Sequence, residues 1–431
     1  MRKVAFYTLG CKVNQQETEA MRTLFEGAGY EAVPFEETAD VYVVNTCTVT
    51  QVSDKKSRQM IARAHARNPA GVIAVVGCYA QRAPEEVKSM PGVQLIVGTQ
   101  HRAQLVELVE NLQEQRDTVE DIRHVREFET LPTVVQNTRT RVQLKIQDGC
   151  DRFCTYCIIP YARGPVRSRP LPEIEAELLR LGEAGAQEVV LTGIHLMSYG
   201  KDLPERPSLG DVVRIAGRTP GIGRIRLGSL EPALIDDAFV AALLDMPEEK
   251  LAQQFHLSLQ SGSEAVLSRM RRRYTPEDYI QAADRLRKAF PGCTLTTDII
   301  AGFPGETEEE HRETLAFAER LAFSRIHVFP YSRRSGTVAA ELPGQLPKAI
   351  KERRAHELIA LGERMEREYL LAQIGTTQLV LGEETDGAVC EGYAGNYVRV
   401  RYSGGKAGAL EQVSISGTEN GVLIGALIDN Q

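Results

Sequence analysis

Cys150, Cys154 and Cys157 stand in the run Gly149-Cys-Asp-Arg-Phe-Cys-Thr-Tyr-Cys157, directly after the strand-like stretch Val142 to Gln147. Three thiolates ligate three irons of a 4Fe–4S cluster, and a fourth cysteine normally completes the set. Without it one iron keeps an open position, and open metal positions do chemistry. A zinc site or a redox pair is the rival reading of Cys154-x-x-Cys157. Zinc calls for a second CxxC or a His pair at finger spacing, and the next histidine, His195, sits at the end of another strand pattern. A disulfide framework does not suit a long chain without a secretory signal.

Three further cysteines share a local context. Cys11 follows Tyr7-Thr-Leu-Gly10, Cys47 follows Val43-Val-Asn-Thr46, and Cys78 follows Ile73-Ala-Val-Val-Gly77. Each lies just past the carboxyl end of a strand pattern. In an open parallel sheet those ends share one edge, where ligands bind. A buried structural thiol explains any one of the three taken alone. Three in the same context point to a second three-thiolate cluster with an open iron. Cys293 and Cys390 have no partner at metal spacing and read as structural thiols.

The elements that must position these residues alternate. Strand patterns at 4–10, 41–45, 72–76 and 93–97 are separated by helical stretches at 15–28 and 52–67, which predicts a doubly wound parallel sheet over residues 1–113. Residues 114–139 are rich in charge, contain Pro132 and read as a linker. Over 140–370 six βα units follow, the pattern of a partial (βα)6 TIM-like barrel whose active site lies at the carboxyl ends of its strands. Residues 371–431 change to short, glycine-rich strands, a small all-β domain of oligonucleotide-binding size. That last stretch carries seven acids, Asp429 among them, against the three bases Arg399, Arg401 and Lys406.

Bulk composition adds bounds. The 431 residues are 42% hydrophobic and 25% charged, ordinary for a globular protein. No apolar run reaches membrane-spanning length, and the amino-terminal stretch lacks the apolar core of a signal peptide, so a cytoplasmic location without a membrane or DNA partner is expected. A net charge of −7 leaves nucleic-acid contact to local patches. Candidates are Arg163, Arg167 and Arg169; the run Arg269 to Arg273; and Arg399 with Arg401, which alternate along one strand and so share a face. A solvated charged face is the alternative for each.

The CxxxCxxC after a first barrel strand resembles the radical S-adenosylmethionine superfamily. Its surroundings, Asp148 through Gly164 and then Arg167-Ser-Arg169, resemble the methylthiotransferase branch, as do Cys11, Cys47 and Cys78; the final β segment is similar to a TRAM domain. Gly10-Cys-Lys-Val-Asn-Gln15 and Thr192-Gly-Ile-His-Leu-Met-Ser-Tyr-Gly200 resemble the subgroup acting on N6-threonylcarbamoyladenosine beside the tRNA anticodon. Relatives acting on isopentenyladenosine typically read Gly-Cys-Gln-Met-Asn at the first of these places, and those modifying a ribosomal-protein aspartate Gly-Cys-Pro-Lys-Asn.

The resemblance implies two 4Fe–4S clusters, S-adenosylmethionine, tRNA and an unidentified electron donor. It implies a 5′-deoxyadenosyl radical made at the Cys150/Cys154/Cys157 cluster and sulfur delivered from the Cys11/Cys47/Cys78 cluster. The outcome is a methylthio group on C2 of the base. Thr192, Gly193, Ser229, Glu231 and Gln260 end successive strands and are candidate S-adenosylmethionine contacts. Arg272 suits its carboxylate. The Ala301-Gly-Phe-Pro-Gly-Glu306 turn, His195 and Asn14 carry weaker expectations; Asn14 either orients the first cluster's loop or caps the helix after it. The competing readings are a related target (isopentenyladenosine or a ribosomal-protein side chain), a zinc-stabilised RNA-binding adaptor, and an electron-transfer protein.

Overall fold

The computed structural model describes residues 1–133 and 141–428; the end of the expected linker and Asp429 lie outside them. Strands β1 (Lys3–Thr8), β2 (Glu31–Val33), β3 (Val41–Thr46), β4 (Val72–Gly77), β5 (Val93–Val97) and β6 (Arg116–Asp117) form one parallel sheet in the order β2-β1-β3-β4-β5-β6. Alternate residues of each central strand pack on opposite faces. Ala5, Tyr42, Val44 and Val75 join one apolar cluster, while Val4, Phe6, Val43 and Val76 join another. Both faces are thus dry, which is why these strands read as continuous apolar runs. The stretch expected as a linker supplies β6, buries Ile122 and Leu131, and sends the Glu129 carboxylate to the Arg102 Nε at 2.9 Å.

The second unit runs β7 (Arg141–Asp148), β8 (Arg167–Ser168), β9 (Glu188–Gly193), β10 (Arg224–Leu227), β11 (Gln254–His256), β12 (Thr294–Ala301) and β13 (Arg325–Pro330). Parallel pairing orders six of them β7-β9-β10 and β11-β12-β13, and the bridges Ile225 to Leu251 and Leu230 to Leu257 join the two halves into a partial barrel. β8 pairs antiparallel on the outer side of β7. Side chains pointing outward, such as Val142, Leu144, Val189, Leu191, Ile225 and Phe255, form the main core with the surrounding helices. Capping boxes at Ser208/Asp211, Thr275/Asp278 and Thr307/Glu310 start three of those helices. The inward side is polar: Lys145, Glu188, Thr192, Arg224, Arg226, Gln254, His256, Thr296 and Asp298 alternate with the apolar set. A closed eight-stranded barrel fills its interior with branched apolar residues; this interior is built to hold something else.

Strands β14 (Thr377–Asp386), β15 (Val389–Ala394), β16 (Arg399–Ser403), β17 (Leu410–Glu419) and β18 (Val422–Leu427) close a small barrel in the order β14-β15-β16-β18-β17. It docks through backbone carbonyls. Arg224 donates to the Leu379 and Tyr393 carbonyls at 2.9 and 3.0 Å, and Arg226 to that of Gly395 at 3.0 Å. Glu188, fully buried, accepts from the Nε of both arginines at 2.5 and 2.7 Å. Its carboxyl is held at about 2: burial would raise it, but the charges of Arg226 and Arg224 prevail.

Removing one partner of a buried ion pair leaves the other charge stranded, at about 3–5 kcal/mol. Glu188→Ala is therefore expected to lower the thermal midpoint and to speed proteolysis near residues 371–376. An unchanged cleavage rate there would show that the arginines hold the small barrel without their carboxylate.

Candidate active site

The CxxxCxxC loop leaves β7 under close restraint. The Gln147 side-chain amide donates to the Asp148 and Gly149 carbonyls at 2.6 and 2.7 Å, and its carbonyl accepts from the His195 backbone N–H at 2.7 Å. Gly149 has φ +70°, and a Cβ there would meet the Pro165 carbonyl oxygen at 1.8 Å, so glycine is required. Thr155 ties the loop to the segment carrying Arg272: its N–H donates to the Met270 carbonyl at 3.0 Å and its hydroxyl to that of Arg269 at 2.9 Å. The Arg272 guanidinium in turn donates to Cys154 Sγ at 3.3 Å. Burial, then the neighbouring thiolates, push the Cys150 thiol up to about 11 and that of Cys157 to about 12. Metal ligation supplies the positive charge that such sites otherwise lack.

The second trio lies at the carboxyl edge of the first sheet. The strand order reverses between β1 and β3, so the crevice of a doubly wound sheet opens there. Cys11 follows β1, Cys47 follows β3, and Cys78 begins the helix Cys78–Arg82 after β4. Cys78 is pushed up to about 12 by burial, with the Arg163 guanidinium pulling it down and Cys47 and Cys11 adding repulsion. Asn14 resolves to the first of its two expected roles. The helix Lys12–Gly27 has Cys11 at its N-cap and starts three residues before the expected Gln15. Buried Asn14 instead donates to the Leu9 and Thr46 carbonyls at 2.9 and 3.0 Å, binding the β1 and β3 loops together.

Arg163 joins the two cysteine loops. Its Nε donates to Cys78 Sγ at 3.3 Å, and its terminal nitrogens reach Glu17 at 2.8 and 3.0 Å, Asp148 at 3.1 Å and the Asn14 side-chain oxygen at 2.9 Å. Arg102 and Lys145 converge on the same Glu17 carboxylate at 2.6 and 3.1 Å. The expectation that Arg163 and Arg167 meet RNA phosphates is corrected here. Both are 0% exposed, Arg167 donating to the Arg163 carbonyl at 2.8 Å. Arg163 is committed to carboxylates of both domains, and Arg167 stands 3.7 Å from Asp148. Arg169 is also buried. Arg399 and Arg401 do share a half-exposed face, both paired with Glu391.

Cys11 and the barrel trio open into one cavity of about 910 Å³. Thr192, Gly193, Ser229, Glu231, Gln260 and Arg272 all line it, so the strand-end candidates come together as expected; Cys47 and Cys78 lie buried. Burial alone would raise the Glu231 carboxyl, but the His195 hydrogen bond and the charges of His195, Arg272 and Arg152 hold it at about 2. His195 is thereby more than a loop cap: its other ring nitrogen bonds the Ser198 hydroxyl at 2.7 Å. Gln260 sits at φ +69° with both backbone groups bonded to β12, a strained backbone at the rim. The Gly302 and Gly305 turn serves structure, with buried Glu306 accepting from the Gly302 and Phe303 N–H groups and from Arg354. Sequence reasoning missed Lys12, Arg152, His256, Asp298, Arg325, His327 and Tyr397, which also line the cavity. The signal for four of them was the period-2 alternation of polar residues along β11, β12 and β13.

Among the described residues no group of three or more His, Cys, Asp or Glu side chains is placed to hold one metal ion.

Residues 144–318 match the radical SAM superfamily, and residues 3–98 match a family described as uncharacterized protein family UPF0004. The threonylcarbamoyladenosine tRNA methylthiotransferase MtaB of Bacillus subtilis is 45% identical over 412 residues, covering 94% of this chain and 91% of its own. The chain belongs to the radical S-adenosylmethionine tRNA methylthiotransferases. The Aquifex aeolicus MtaB is 39% identical over 96% of this chain and all of its own. The tRNA-2-methylthio-N(6)-dimethylallyladenosine synthase of Corynebacterium urealyticum is 37% identical over 88% of this chain and 72% of its own. Among solved structures, the radical S-adenosylmethionine methyltransferase TsrM of Kitasatospora setae superposes with a TM-score of 0.56 at 17% identity, covering 76% of this chain and 74% of that one, a likeness of fold.

Methylthiotransferases of this kind use S-adenosylmethionine and two 4Fe–4S clusters. The donor set here fits: two cysteine trios, each with an arginine on one sulfur, and a cavity reached by Cys11 and the barrel trio and lined by polar side chains of the barrel strands. In this methylthiotransferase Arg163 is expected to be irreplaceable by lysine, because one ammonium cannot reach a sulfur, two carboxylates and an amide together. Arg163→Lys should lose iron and sulfide down to the content of one cluster; a two-cluster content would show the contact with Cys78 to be incidental. The pH dependence follows from Glu17 and Asp148. Burial would raise both carboxyls, yet the surrounding arginines and lysine hold both below their ordinary values of 4.5 and 3.8. Their stabilisation is fully present above that range and is lost as pH falls through the depressed values. Domain separation monitored by scattering should therefore begin only below the ordinary carboxylate range, and shift upward in Arg163→Lys.

Proposed function

We propose that this enzyme replaces the C2 hydrogen of N6-threonylcarbamoyladenosine, next to the anticodon in tRNA, with a methylthio group. The observation that carries the reading is the single cavity shared by Cys11 and by Cys150, Cys154 and Cys157. Radical generation and sulfur delivery must act on one carbon, and a common chamber supports that. The MtaB relatives carry the threonylcarbamoyl substrate in their names, and their coverage extends over nearly the whole chain.

Cys150, Cys154 and Cys157 would hold the cluster that, with bound S-adenosylmethionine, would supply radical chemistry, and Cys11, Cys47 and Cys78 would hold the cluster that would supply sulfur. The chain's own residues bind and orient. Arg272, beside Cys154, suits the methionyl carboxylate. Glu231, kept ionised by His195 and Arg152, suits a ribose hydroxyl or the methionyl ammonium. The Thr192–Gly193 backbone at the end of β9 lets the amino end approach closely, and Ser229 and Gln260 offer further polar contacts. Interior side chains and the small barrel's loops exclude water from the reacting atoms. We further assign residues 1–113, with the β6 strand that the 114–139 stretch adds to their sheet, to the sulfur-cluster domain, 140–370 to the radical core and 371–431 to a TRAM-like domain that grips RNA through Arg399 and Arg401. Among the described residues no helix is long and apolar enough to cross a membrane, and a tRNA substrate favours a cytoplasmic enzyme.

Anticodon stem-loop RNA carrying threonylcarbamoyladenosine should gain a methylthio group with reconstituted enzyme, S-adenosylmethionine and reductant. Cys154→Ser should abolish 5′-deoxyadenosine release. Cys11→Ser should release it while giving no methylthiolated base. Turnover of isopentenyladenosine RNA in preference would sink the substrate reading. Reversing charge at Arg399 and Arg401 together should weaken RNA binding and flatten its salt dependence by about two counterions; an unchanged slope removes the stripe from the interface.

A further inference from the structure

Away from the cysteine loop, the cavity wall carries positive charge that no carboxylate neutralises. Lys12 lines it, immediately after Cys11. Among the described residues the Lys12 ammonium has no ion pair; it stands 5.2 Å from the Tyr397 ring centroid. A cation held over an aromatic face is anchored while keeping its charge. Tyr397 is itself braced at φ +67°, with Arg226 4.6 Å and Arg141 5.3 Å from its ring centroid. Those two arginines are already matched, by Glu188 and Glu383 respectively.

Arg325, the first residue of β13, lines the same cavity, is exposed, and likewise has no ion pair among the described residues. His327 lies two residues on and so faces the same way. Burial, together with His256, Arg325 and Lys12, favours its neutral form against the pull of Asp298. Lys12, Arg325 and His327 thus line one cavity. The acids nearby do not cancel them. Asp298 is bound by His256 at 3.2 Å, and Glu366, on the same wall, pairs with neither cation.

Two uncompensated cations and a neutral imidazole in one partly enclosed chamber make a receptor for an anion. The threonylcarbamoyl substituent carries one carboxylate; an isopentenyl group carries none. We infer that Lys12, assisted by Arg325, binds the carboxylate of the substituent on the substrate base and so selects the charged substrate. This rests on the substrate reading above. A neutral substituent would bury the ammonium without a partner, which is how a polar site rejects an analogue lacking its partner group.

The test uses the two-cluster enzyme with two anticodon stem-loop RNAs, one bearing threonylcarbamoyladenosine and one bearing its threoninamide analogue. The wild type should prefer the acid by about ten- to a hundredfold in kcat/KM. In Lys12→Met that preference should fall toward unity, chiefly through a higher KM for the acid RNA, with a smaller fall in Arg325→Gln. Iron and sulfide content is measured for each variant. If Lys12→Met loses its amino-terminal cluster, the wild-type preference and Arg325→Gln decide. Equal treatment of both RNAs by the wild type overturns the inference. So does an equal loss on both RNAs in Lys12→Met, the mark of a phosphate contact. Methylthiolation of an isopentenyladenosine RNA with neither threonyl RNA turned over overturns the substrate reading and this inference with it.

Discussion

The buried charge cluster around Arg163 holds the enzyme together. Four buried cations, Arg102, Lys145, Arg163 and Arg167, meet the buried carboxylates of Glu17 and Asp148 and the partly buried one of Glu129. Such a cluster contributes little net stability, because desolvation offsets most of the attraction. What it does impose is a single way to dock. Glu17 belongs to the first sheet's helix, Asp148 to the end of β7 and Arg163 to the short helix after the cysteine loop, so any slippage strands a charge. The surplus positive charge falls beside Cys78, where thiolates must be accommodated. Domain docking and cluster housing are thus one electrostatic problem with one solution.

The barrel makes a complementary choice. Its outward side chains pack conventionally against helices, while its inward positions carry arginine, histidine, glutamate and glutamine. A polar interior remains satisfied where its groups bond one another, as Glu188 does with Arg224 and Arg226 at the bottom, and stays available where they do not, as along β13. Stability is concentrated at the amino ends of the strands and chemistry at the carboxyl ends, the division expected of a parallel barrel.

Much of this was legible in the sequence because its signals are local. CxxxCxxC is a spacing, and Cys11, Cys47 and Cys78 each follow a β run directly, so topology alone brings them to one edge. The strand-end polar residues were found by the same logic. The basic residues were misread for the opposite reason. Nothing near Arg163 or Arg167 in sequence announces Glu17, well over a hundred positions away, and an arginine without a visible partner looks like surface. Lys145, in the middle of an apolar strand, was the available hint that the interior holds charge. Period-2 polarity in β11 to β13 gave another. The start of the first helix at Lys12 was obscured because Cys11, a poor capping residue, sits where a serine or aspartate is usual.

The barrel stops at six parallel strands, and β13 ends it with Arg325 and His327 lining the cavity while still open to water. A complete ring admits a guest only down its axis, which suits a free metabolite with two loose ends. Here the missing staves leave a slot along one flank. A slot accepts a single link of a continuous thread while the thread runs on past it in both directions.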